Sequence, residues 1–483
     1  MGGLKVLMLA AEAAPLVKVG GLGDVVGALP VALRRMGMDM RVMLPDNGLR
    51  VPAEYKVRRL DGGVLAWGGS TERVTVRCLK VNGCFHYLVG GRPIAHDGKV
   101  YGADMVGDAP KFVFFALAAM RVAERLHFQP DVLHVHDAHP GAALYWLGTV
   151  GRHHRFWQGT AGVLTIHNLA YQFNGAADAL KAGGLEPGVD GRIPAYARSG
   201  LLALGIANAD CVNTVSPTYA HEIRMAEQGA GLQKLLRAQR TRVSGILNGL
   251  DRSVWNPARD AAIAAEFDVR RLARRKLNSS ALRTELRLPA AAGPLFALVA
   301  RLDWQKGLDL VVGVAPQLHA LGAQLVVLGS GSRDIGKQLQ ALARAHPGSV
   351  AVRLGFDEAL ARRIYAGADV VLVPSRYEPC GLTQLIGMRY GAIPLVRCTG
   401  GLADTVLDVD SNARGTGFVF GKYTVQALAR AVCRACKLFG TPLAWRALQV
   451  RAMQADFSWK PVAKKYAELY ANAVRARRRG NAA

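Results

Sequence analysis

Cysteine is scarce in this chain of 483 residues, and most of the seven cysteines lie in apolar runs, as Cys211, Cys398 and Cys433 do. We expect reduced thiols, with no disulfide scaffold and no zinc module. No uninterrupted apolar run is long enough to span a bilayer, and no basic leader with a small-residue cleavage site opens the chain. We therefore predict a cytoplasmic protein that has no membrane span and is not exported.

Acidic residues are outnumbered, with 36 aspartates and glutamates against 61 lysines and arginines, which gives a formal net charge of +25. Such a balance raises the question of a nucleic-acid partner, since basic surfaces bind phosphate through counterion release. The charge is dispersed, however, and no recognised nucleic-acid module accompanies it, which favours a solvated surface. The two densest groups are predicted to be a helix and a C-terminal tail: Arg270, Arg271, Arg274, Arg275 and Lys276, and Arg475, Arg477, Arg478 and Arg479.

Short repeats are absent, and short apolar runs instead alternate with helical patterns along the whole chain. This alternation is typical of parallel sheets covered by helices on both faces, so we predict an α/β protein. The predicted strands are 6–10, 40–44, 132–135, 163–166, 211–215 and 243–247 in the first half, and 295–300, 324–328, 351–354, 370–373 and 393–396 in the second.

The length of the chain predicts more than one hydrophobic core, and turn formers with a helix-breaking proline at 248–262 indicate a junction. We predict a Rossmann-like domain at 1–250, a second one at 251–456, and at 457–483 a helix that packs back on the first domain, followed by a basic tail. Two doubly wound domains facing a central cleft resemble the GT-B architecture of nucleotide-sugar glycosyltransferases. That resemblance implies an acceptor-side first domain and a second domain that binds the nucleotide sugar at the carboxyl ends of its strands.

The loop after the first strand is rich in glycine and runs Lys18-Val-Gly20-Gly21-Leu-Gly-Asp24 into a helix. Glycine lets a backbone approach phosphate closely, and a helix N-terminus offers free N–H groups and a positive dipole. An ordinary turn between strand and helix is the alternative, because the spacing is not the GxGxxG of dinucleotide sites. The flanking lysine and aspartate favour a binding site.

The pattern Lys-x-Gly-Gly-Leu-x-Asp near the N-terminus resembles the opening signature of bacterial glycogen synthases and plant starch synthases. The resemblance extends over essentially the whole chain. In that family the lysine and the glycines contact the diphosphate of the donor, which implies donor-binding roles for Lys18, Gly20 and Gly21. Asp24 matches an aspartate that lies beside donor and acceptor.

Polar residues end two further predicted strands, as His136-Asp137 and as Thr-Ile-His167-Asn168-Leu-Ala-Tyr-Gln. A lone histidine is more often structural, but clustering at carboxyl ends favours a hydrogen-bonding sugar site. The second motif is similar to one in the family, which implies that His167 holds the glucose at the reacting centre, with Asp137 and Asn168 on the acceptor side. We expect His134 and His136 to point to opposite faces of their strand and so not to share an ion, and we predict no metal.

Arg301 and Lys306 lie in the loop Arg301-Leu-Asp-Trp-Gln-Lys306-Gly, between a buried strand and an amphipathic helix. A departing diphosphate gains negative charge as the anomeric bond breaks, and paired cations stabilise that charge most in the transition state. A surface pair bracketing a turn is the alternative. Because the loop resembles the family's Arg-Leu-x-x-Gln-Lys-Gly-Leu motif, we expect both residues to be catalytic and to replace a divalent ion.

The most specific motif is Glu378-Pro-Cys-Gly-Leu-Thr-Gln, at the end of an apolar strand. It resembles a near-fingerprint of the family, and we predict that Glu378 faces the sugar as a catalytic residue, although a buried glutamate bonded to a backbone donor is the alternative. The motif runs into a helix whose free N–H groups would bind the donor. The predicted donor-binding residues here are Cys380, Gly381, Leu382 and Thr383. A second glycine turn at 399–406 also matches the family.

Two positions depart from the family pattern. Ala138 stands where a tryptophan is usual, and Phe173 stands where a glycine is usual. A missing indole removes a large stacking surface for sugar rings. We place both positions on the acceptor side and expect them to affect acceptor affinity or preferred chain length.

The resemblance implies a glycogen synthase that transfers glucose from ADP-glucose to the non-reducing 4-hydroxyl of an α-1,4-glucan, with retention of configuration. The expected partners are ADP-glucose and glycogen, with no cofactor, no nucleic acid and no membrane, and a homo-oligomer is left open. Carboxylates paired as in glycosidases are not recognisable, which favours front-face transfer. The alternatives are another GT-B transferase, with a UDP-glucose donor or a small acceptor, and a non-catalytic homologue that binds glucan or nucleic acid.

Overall fold

The computed structural model describes residues 3–95, 97–102, 104–188, 190–239 and 242–482. The chain forms two compact units, one made of Met1–Gly249 with Trp459–Ala483 and the other of Leu250–Ser458. Each unit has its own hydrophobic core around a β-sheet. The chain therefore passes from the first unit to the second at Gly249 and returns at Trp459.

The first unit contains a nine-stranded sheet within the described residues, in the order β3-β4-β5-β2-β1-β6-β7-β8-β9. Its strands are β1 (Lys5–Leu9), β2 (Asp39–Pro45), β3 (Arg58–Trp67), β4 (Ser70–Val81), β5 (Cys84–Gly90), β6 (Val132–His136), β7 (Ala161–Ile166), β8 (Cys211–Thr214) and β9 (Val243–Gly245). Its helices are α1 (Gly21–Arg34), α2 (Met105–Arg125), α3 (Gly141–Gly148), α4 (Ala177–Ala182), α5 (Leu201–Asn208), α6 (Pro217–Glu222) and α7 (Gln233–Ala238).

The central strands of this sheet are parallel and almost wholly buried, as their continuous apolar runs predict. The β3-β4-β5 meander is antiparallel and was not predicted, so the expectation of a purely parallel arrangement is wrong for this edge. Buried and exposed residues alternate along β4, which is the pattern of a strand with one face in water. Such strands contain no continuous apolar run, so the pattern that predicted the central strands did not predict them.

The second unit contains a six-stranded parallel sheet, again counted over the described chain, in the order β12-β11-β10-β13-β14-β15. Its strands are β10 (Leu295–Val299), β11 (Gln324–Gly329), β12 (Val350–Leu354), β13 (Val370–Val373), β14 (Ile393–Arg397) and β15 (Phe418–Phe420). Its helices are α8 (Arg275–Leu286), α9 (Leu308–Ala320), α10 (Arg333–Ala345), α11 (Glu358–Gly367), α12 (Thr383–Arg389), α13 (Gly400–Thr405), α14 (Val425–Phe439) and α15 (Pro442–Gln454).

The predicted basic helix over residues 270–276 is only partly confirmed. A 3-10 turn at Leu272–Arg274 precedes α8, which begins at Arg275. Arg275 is also not a solvated surface residue, since it is buried, its Nε donates to the Tyr390 carbonyl at 2.9 Å, and its Nη1 lies 3.4 Å from Asp369 Oδ1. The positive charge of Arg275 therefore lies inside the second unit and not on its surface.

The chain ends in helix α16 (Trp459–Ala482), which belongs to the first unit. Arg475, Arg477, Arg478 and Arg479 lie in the last turns of this helix, so the prediction of a basic tail is wrong. Arg477 Nη1 lies 3.7 Å from Asp210 Oδ1, and Ala473 on the same stretch is fully buried. The helix therefore continues because one of its faces packs on the first unit.

A buried polar chain joins α16 to the sheet. The Thr165 hydroxyl donates to Asn213 Oδ1 at 2.6 Å, so Thr165 Oγ1 accepts from His134 Nε2–H at 2.7 Å. His134 Nδ1 is then the acceptor for the Tyr470 hydroxyl, at 2.8 Å. Asn213 Nδ2 in turn donates to the Tyr466 hydroxyl at 3.4 Å. When His134 is neutral, each of its ring nitrogens has a hydrogen-bond partner in this polar chain.

Replacing Tyr470 with phenylalanine is expected to destabilise the protein by about 1–2 kcal/mol, because the buried Nδ1 of His134 loses its donor. The free energy of unfolding in urea measures this effect. Tyr196→Phe is the matched control, since Tyr196 is exposed and its hydroxyl makes a longer bond of 3.3 Å at the surface. Equal stability of the two variants would contradict the role given to this chain.

Candidate functional site

The glycine loop of the first unit is organised by a glutamate that the sequence motifs did not include. Glu12 is buried, and its Oε2 accepts from the backbone N–H groups of Val19 at 2.6 Å and of Gly20 at 2.9 Å. The other carboxylate oxygen accepts from the Tyr101 hydroxyl. This carboxylate therefore fixes the backbone at the start of α1.

Lys18 and Asp24, predicted on either side of the same loop, are brought together. Lys18 Nζ lies 2.7 Å from Asp24 Oδ1, and both side chains are partly exposed. Gly20 precedes α1 directly, and a Cβ built on it would meet nothing within 4 Å. Gly21 is the first residue of the helix. The loop thus presents a lysine at a helix N-terminus, and the space beside Gly20 is open.

His136, Asp137 and His167 also meet, at the carboxyl ends of β6 and β7. His136 Nδ1 and His167 Nε2 are 2.9 Å apart, and Asp137 Oδ1 accepts from the backbone N–H groups of His167 at 2.6 Å and of Asn168 at 3.3 Å. Burial lowers the pKa of His167 to about 3 and that of His136 well below its ordinary value. Both imidazoles are therefore neutral at pH 7.

Burial also raises the pKa of Asp137 to about 7, although the two backbone N–H groups oppose this shift. The negative charge of Glu12 also raises the pKa of Asp137. Asn168, the predicted acceptor-side neighbour, is partly exposed, and its Oδ1 accepts from the Ala170 N–H at 3.1 Å.

The expectation that His134 and His136 point to opposite faces is wrong. Residues two apart in a strand lie on the same face, and the centroids of these rings are 4.1 Å apart. Both ring nitrogens of His134 are nevertheless engaged elsewhere, since they bond Thr165 and Tyr470. Among the described residues, no group of three or more His, Cys, Asp or Glu side chains is arranged to hold a metal ion.

Ala138 and Phe173, where the family pattern fails, are both buried. The ring of Phe173 packs edge-to-face on Phe112 and His139, with centroids 5.5 and 5.0 Å away. The φ angle of Phe173 is +52°, in the left-handed region that favours glycine, which explains why glycine suits this position. Their side chains offer no surface to a ligand, so any effect on an acceptor would have to be indirect.

In the second unit the predicted Lys306 and Glu378 form a buried ion pair. Lys306 Nζ lies 3.0 and 2.8 Å from the two carboxylate oxygens of Glu378, and the Ser375 hydroxyl donates to Oε2 at 2.7 Å. The two charged side chains are only 17% and 7% exposed. Lys306 follows β10 and Glu378 follows β13, two neighbouring parallel strands, so the pair lies at their carboxyl ends.

The loop that carries Lys306 is fastened to the loop that carries Glu378. Gln305 is buried, its carbonyl accepts from the Arg376 N–H at 2.8 Å, and its amide donates to the Tyr377 carbonyl at 3.1 Å. Gly307 has a φ of +68°, and a Cβ there would lie 2.2 Å from the Pro374 carbonyl oxygen. Only glycine fits at this close approach, so Lys306 is held rigidly.

Arg301, the other predicted cation, is more exposed. Its Nη2 lies 3.2 Å from Asp303 Oδ2 and 3.4 Å from Gln305 Oε1, and the side chain is half exposed. An exposed aromatic ring that the motifs did not predict lies at the same edge of this sheet. Phe356 follows β12 and is 82% exposed. A large apolar ring left in water at the carboxyl edge of a sheet is the signal that could have identified it.

The Cys-Gly-Leu-Thr segment leads into α12 as predicted. Cys380 is buried, whereas Gly381, Leu382 and Thr383 are partly exposed. Gly381 has a φ of +75°, and the buried Gln384 donates to the carbonyls of Cys380 and Gly381, both at 3.0 Å. The turn before α12 is therefore held by the side chain of Gln384.

The second glycine turn packs against the Glu378 loop. The Gly401 N–H donates to the Glu378 carbonyl at 3.0 Å, and a Cβ on Gly401 would lie 2.3 Å from the Cys380 carbonyl oxygen. The three predicted motifs of the second unit, at 301–307, 374–384 and 399–406, thus meet at one edge of its sheet.

The cysteines carry no recognisable chemistry. All seven are free thiols. Cys433 and Cys436 have a Cys-x-x-Cys spacing, so the expectation that no such spacing occurs is wrong, but both lie inside α14 rather than at a helix N-terminus. Burial raises the pKa of Cys436 to about 11, which makes it a poor nucleophile.

The family models that this chain matches identify the class of protein. Residues 5–238 match the family model of the starch synthase catalytic domain, and residues 288–442 match that of glycosyl transferases group 1. The two α/β units are those of a glycosyltransferase with the GT-B fold. The chain resembles the glycogen synthase of Rhodopseudomonas palustris, with 42% identity over 98% of this chain and 99% of that one. It resembles glycogen synthase 2 of Geobacter metallireducens equally, over 97% and 98%. This chain belongs to the glycogen synthase family.

Solved structures agree with this assignment. The catalytic domain of starch synthase IV from Arabidopsis thaliana, bound to ADP and acarbose, superposes with a TM-score of 0.90 and 33% identity over 98% of this chain and all of that one. A sucrose-phosphate synthase from Thermosynechococcus elongatus shares the fold, with a TM-score of 0.62 at 20% identity. The family and the fold class predicted from the motifs are therefore confirmed. No described helix is long and apolar enough to cross a membrane.

Proposed function

We propose that this glycosyltransferase transfers glucose from ADP-glucose to the non-reducing 4-hydroxyl of an α-1,4-glucan, with retention of the α configuration. The observation that carries the proposal is the Lys306–Glu378 pair at the carboxyl ends of β10 and β13, in a family whose relatives are named glycogen synthases. The related starch synthase IV binds ADP and acarbose, which supports a nucleotide-sugar donor and a glucan acceptor.

The leaving diphosphate would be stabilised by Arg301 and Lys306. Lys306 carries three N–H donors, and Glu378 accepts through two oxygens, so a third donor is available for a phosphate oxygen. Glu378 and Ser375 fix where the ammonium lies before the donor arrives, so little reorganisation is needed as charge develops. Two fixed cations would thus supply the positive charge that a divalent ion supplies in other transferases, and we expect activity to survive chelators.

The transferred glucose would be held by His167 and Glu378. A neutral imidazole both donates and accepts hydrogen bonds, which suits sugar hydroxyls, and the low pKa of His167 keeps it neutral over the working range. Asp24, Asp137 and Asn168 would act on the acceptor side, while Cys380, Gly381, Leu382 and Thr383 would contact the donor. In this assignment the acceptor-side residues named here belong to the first domain, and the donor-binding residues named here belong to the second.

The glycine loop, with Lys18, Gly20 and Gly21, would contact the donor diphosphate. If so, Glu12→Ala should raise the KM for ADP-glucose about tenfold, because the Val19 and Gly20 N–H groups lose the carboxylate that orients them. Initial rates at varied donor concentration measure the change. Glu54→Ala, at an exposed glutamate, is the control. A normal donor KM in Glu12→Ala would remove the loop from the donor site.

The adenine of the donor would stack on Phe356. Base stacking on an aromatic ring contributes about 1–3 kcal/mol, so Phe356→Ala should raise the donor KM roughly tenfold while kcat changes little. Leu443→Ala, at a leucine that is 85% exposed, is the control for loss of an exposed apolar side chain. Unchanged donor KM in Phe356→Ala would place the base elsewhere.

Retention would follow from front-face departure. In this mechanism the bond between the anomeric carbon and the diphosphate breaks, the acceptor 4-hydroxyl forms the new bond on the same face, and its proton passes to the departing phosphate oxygen. Atoms and charge balance without a protein base. Retaining glycosidases use two carboxylates about 5 Å apart, one of which forms a covalent glycosyl-enzyme. Front-face departure needs no such nucleophile, so the proposal predicts that no glycosyl-enzyme can be trapped.

A donor and acceptor competition tests the assignment. ADP-glucose and UDP-glucose, each labelled in the glucose, are offered separately with glycogen or with fructose. We expect label in glycogen and a preference for ADP-glucose. A preference for UDP-glucose would correct the donor, and transfer to fructose would favour a sucrose-type reaction. Binding of glucan without transfer from either donor would favour a non-catalytic homologue.

A further inference from the structure

Trp304 is unusual among the seven tryptophans, all of which lie in the described part of the chain. It is 65% exposed, whereas the other six are buried or half-buried. An indole is the largest apolar side chain, and leaving it in water forgoes a large burial energy. Trp304 therefore differs from the tryptophans that serve the two cores.

The exposed indole is not loose. The guanidinium of Arg376 lies over it, with Cζ 4.5 Å from the ring centroid, and the same guanidinium lies 4.2 Å from the centroid of Tyr423. Arg376 thus packs against both rings, and such contacts are attractive in each case. The three side chains, Trp304, Arg376 and Tyr423, form what we call the aromatic platform.

A carboxylate locks the aromatic platform from its other side. Asp309 accepts from Arg376 Nη2 at 2.9 Å through one oxygen and from the Tyr423 hydroxyl at 2.5 Å through the other. Arg397 adds a further bond, from its Nη1 to the Arg376 carbonyl at 2.5 Å. A ligand would therefore meet an ordered surface, with little side-chain entropy left to lose on binding.

The platform also lies away from Phe356 along the edge of the sheet. Trp304, Arg376 and Tyr423 follow β10, β13 and β15, whereas Phe356 follows β12 at the opposite end of the strand order. The Lys306–Glu378 pair follows the two middle strands, β10 and β13. If Phe356 stacks on the nucleotide base, the platform belongs to a different ligand.

We propose that the aromatic platform is a binding subsite for an α-glucan chain, in which Trp304 stacks on the apolar face of a glucose ring. The C–H groups of a sugar face pack on an indole, and the hydroxyls at its rim would find hydrogen-bond partners in Arg376 and Asp309, whose side chains are both partly exposed. A polymer acceptor gains from such a subsite because linked contacts raise avidity. The inference rests on the proposed glucan acceptor and adds a location for its chain.

Steady-state kinetics with glycogen and ADP-glucose varied in turn test the subsite in the full-length protein. In Trp304→Ala we expect the KM for glycogen to rise roughly five- to tenfold while the KM for ADP-glucose changes less than twofold. Trp304→Phe keeps an aromatic ring and should recover part of the glycogen affinity. Leu443→Ala, which removes an even more exposed apolar side chain from the same unit, should change neither KM.

Acrylamide quenching of tryptophan fluorescence gives a readout that does not depend on catalysis. Since Trp304 is the exposed tryptophan, it should supply most of the readily quenched signal, and maltoheptaose should protect it in the wild type but remove no quenching in Trp304→Phe. This measurement stands even if Trp304→Ala fails to fold.

The outcomes separate the two proposals. An unchanged glycogen KM in Trp304→Ala, or no protection by maltoheptaose, would overturn the subsite while leaving the transfer reaction intact. A donor KM that rises instead would show that the platform stacks on the base, and would also overturn it. If the wild type transferred no glucose to glycogen, the proposed function would fail, and the quenching result alone would decide whether the platform binds glucan.

Discussion

Lys306→Ala should lower kcat by two to three orders of magnitude. The variant removes a cation placed to stabilise the departing diphosphate, and loss of one preorganised charge-stabilising group costs about that much. It also leaves Glu378, which is 7% exposed, without its cation. Breaking a buried pair by removing one partner is destabilising by about 3 kcal/mol. The kinetic and the structural effects therefore have to be measured separately.

A paired replacement makes that separation. Lys306→Met combined with Glu378→Gln removes both charges, so stability should recover towards the wild type while kcat stays low. Lys437→Ala, at an exposed lysine of α14, is the control for loss of positive charge in the same unit. Normal turnover and donor affinity in Lys306→Ala would show that the assignment of this residue is wrong. Recovery of kcat in the double variant would show that the pair is structural.

The free energy of unfolding should fall steeply between pH 6.5 and pH 4.5. Burial lowers the pKa of five described histidines in the first unit, to about 4 for His86, to about 3 for His134, His139 and His167, and well below its ordinary value for His136. Below pH 6.5 the unfolded chain takes up protons on these side chains, while the folded chain does not. Each histidine therefore costs about 2 kcal/mol of stability at pH 5.

Asp137 works in the opposite direction. Its pKa is raised to about 7 in the folded state, so the folded chain binds this proton first as the pH falls from 7 towards 4. That uptake favours the folded state and offsets the effect of about one of these histidines. The net effect of acidification remains strongly destabilising, and at pH 5 it rivals the whole stability of an ordinary domain.

Unfolding in urea at pH 7.5 and at pH 5.0 measures the difference. His86→Asn is the informative variant, because its amide can still donate to the Cys84 carbonyl, which His86 Nδ1 contacts at 3.1 Å, but it does not titrate. The loss of stability on acidification should shrink by about 2 kcal/mol in this variant. His153→Asn, at an exposed histidine, is the control. A flat stability profile between these pH values would contradict the buried, neutral state of the histidines.

The sequence predicted the parallel strands well because their burial on both faces leaves continuous apolar runs. Strand 370–373 has the predicted bounds, and the other predicted strands differ by one or two residues at their ends. The β3-β5 meander was missed because one face is in water, and β15 was missed because it has only three residues. The prediction of a basic tail was wrong because a high density of charged residues does not show whether the same segment also has an apolar face on which a helix can pack.

The motif residues were predictable because each motif follows a strand, and parallel strands bring their carboxyl ends together. Glu12 was not, because its carboxylate acts on backbone N–H groups seven and eight residues away, which no side-chain pattern records. The surroundings of Phe173 were equally invisible, since the burial of its ring on Phe112 and its positive φ are properties of the folded chain. The exposure of Trp304 is likewise a property of the folded chain that the sequence motifs do not record.

The most direct test of glucosyl transfer is a single linkage measurement. The purified protein is incubated with glycogen and ADP-glucose labelled in the glucose, in the presence of EDTA, and the washed polymer is digested with β-amylase, which releases maltose from non-reducing ends by cleaving α-1,4 bonds. We predict that the label is released as maltose. Label that appears only as free glucose, or that stays in the polymer after exhaustive digestion of its outer chains, would contradict retaining α-1,4 transfer.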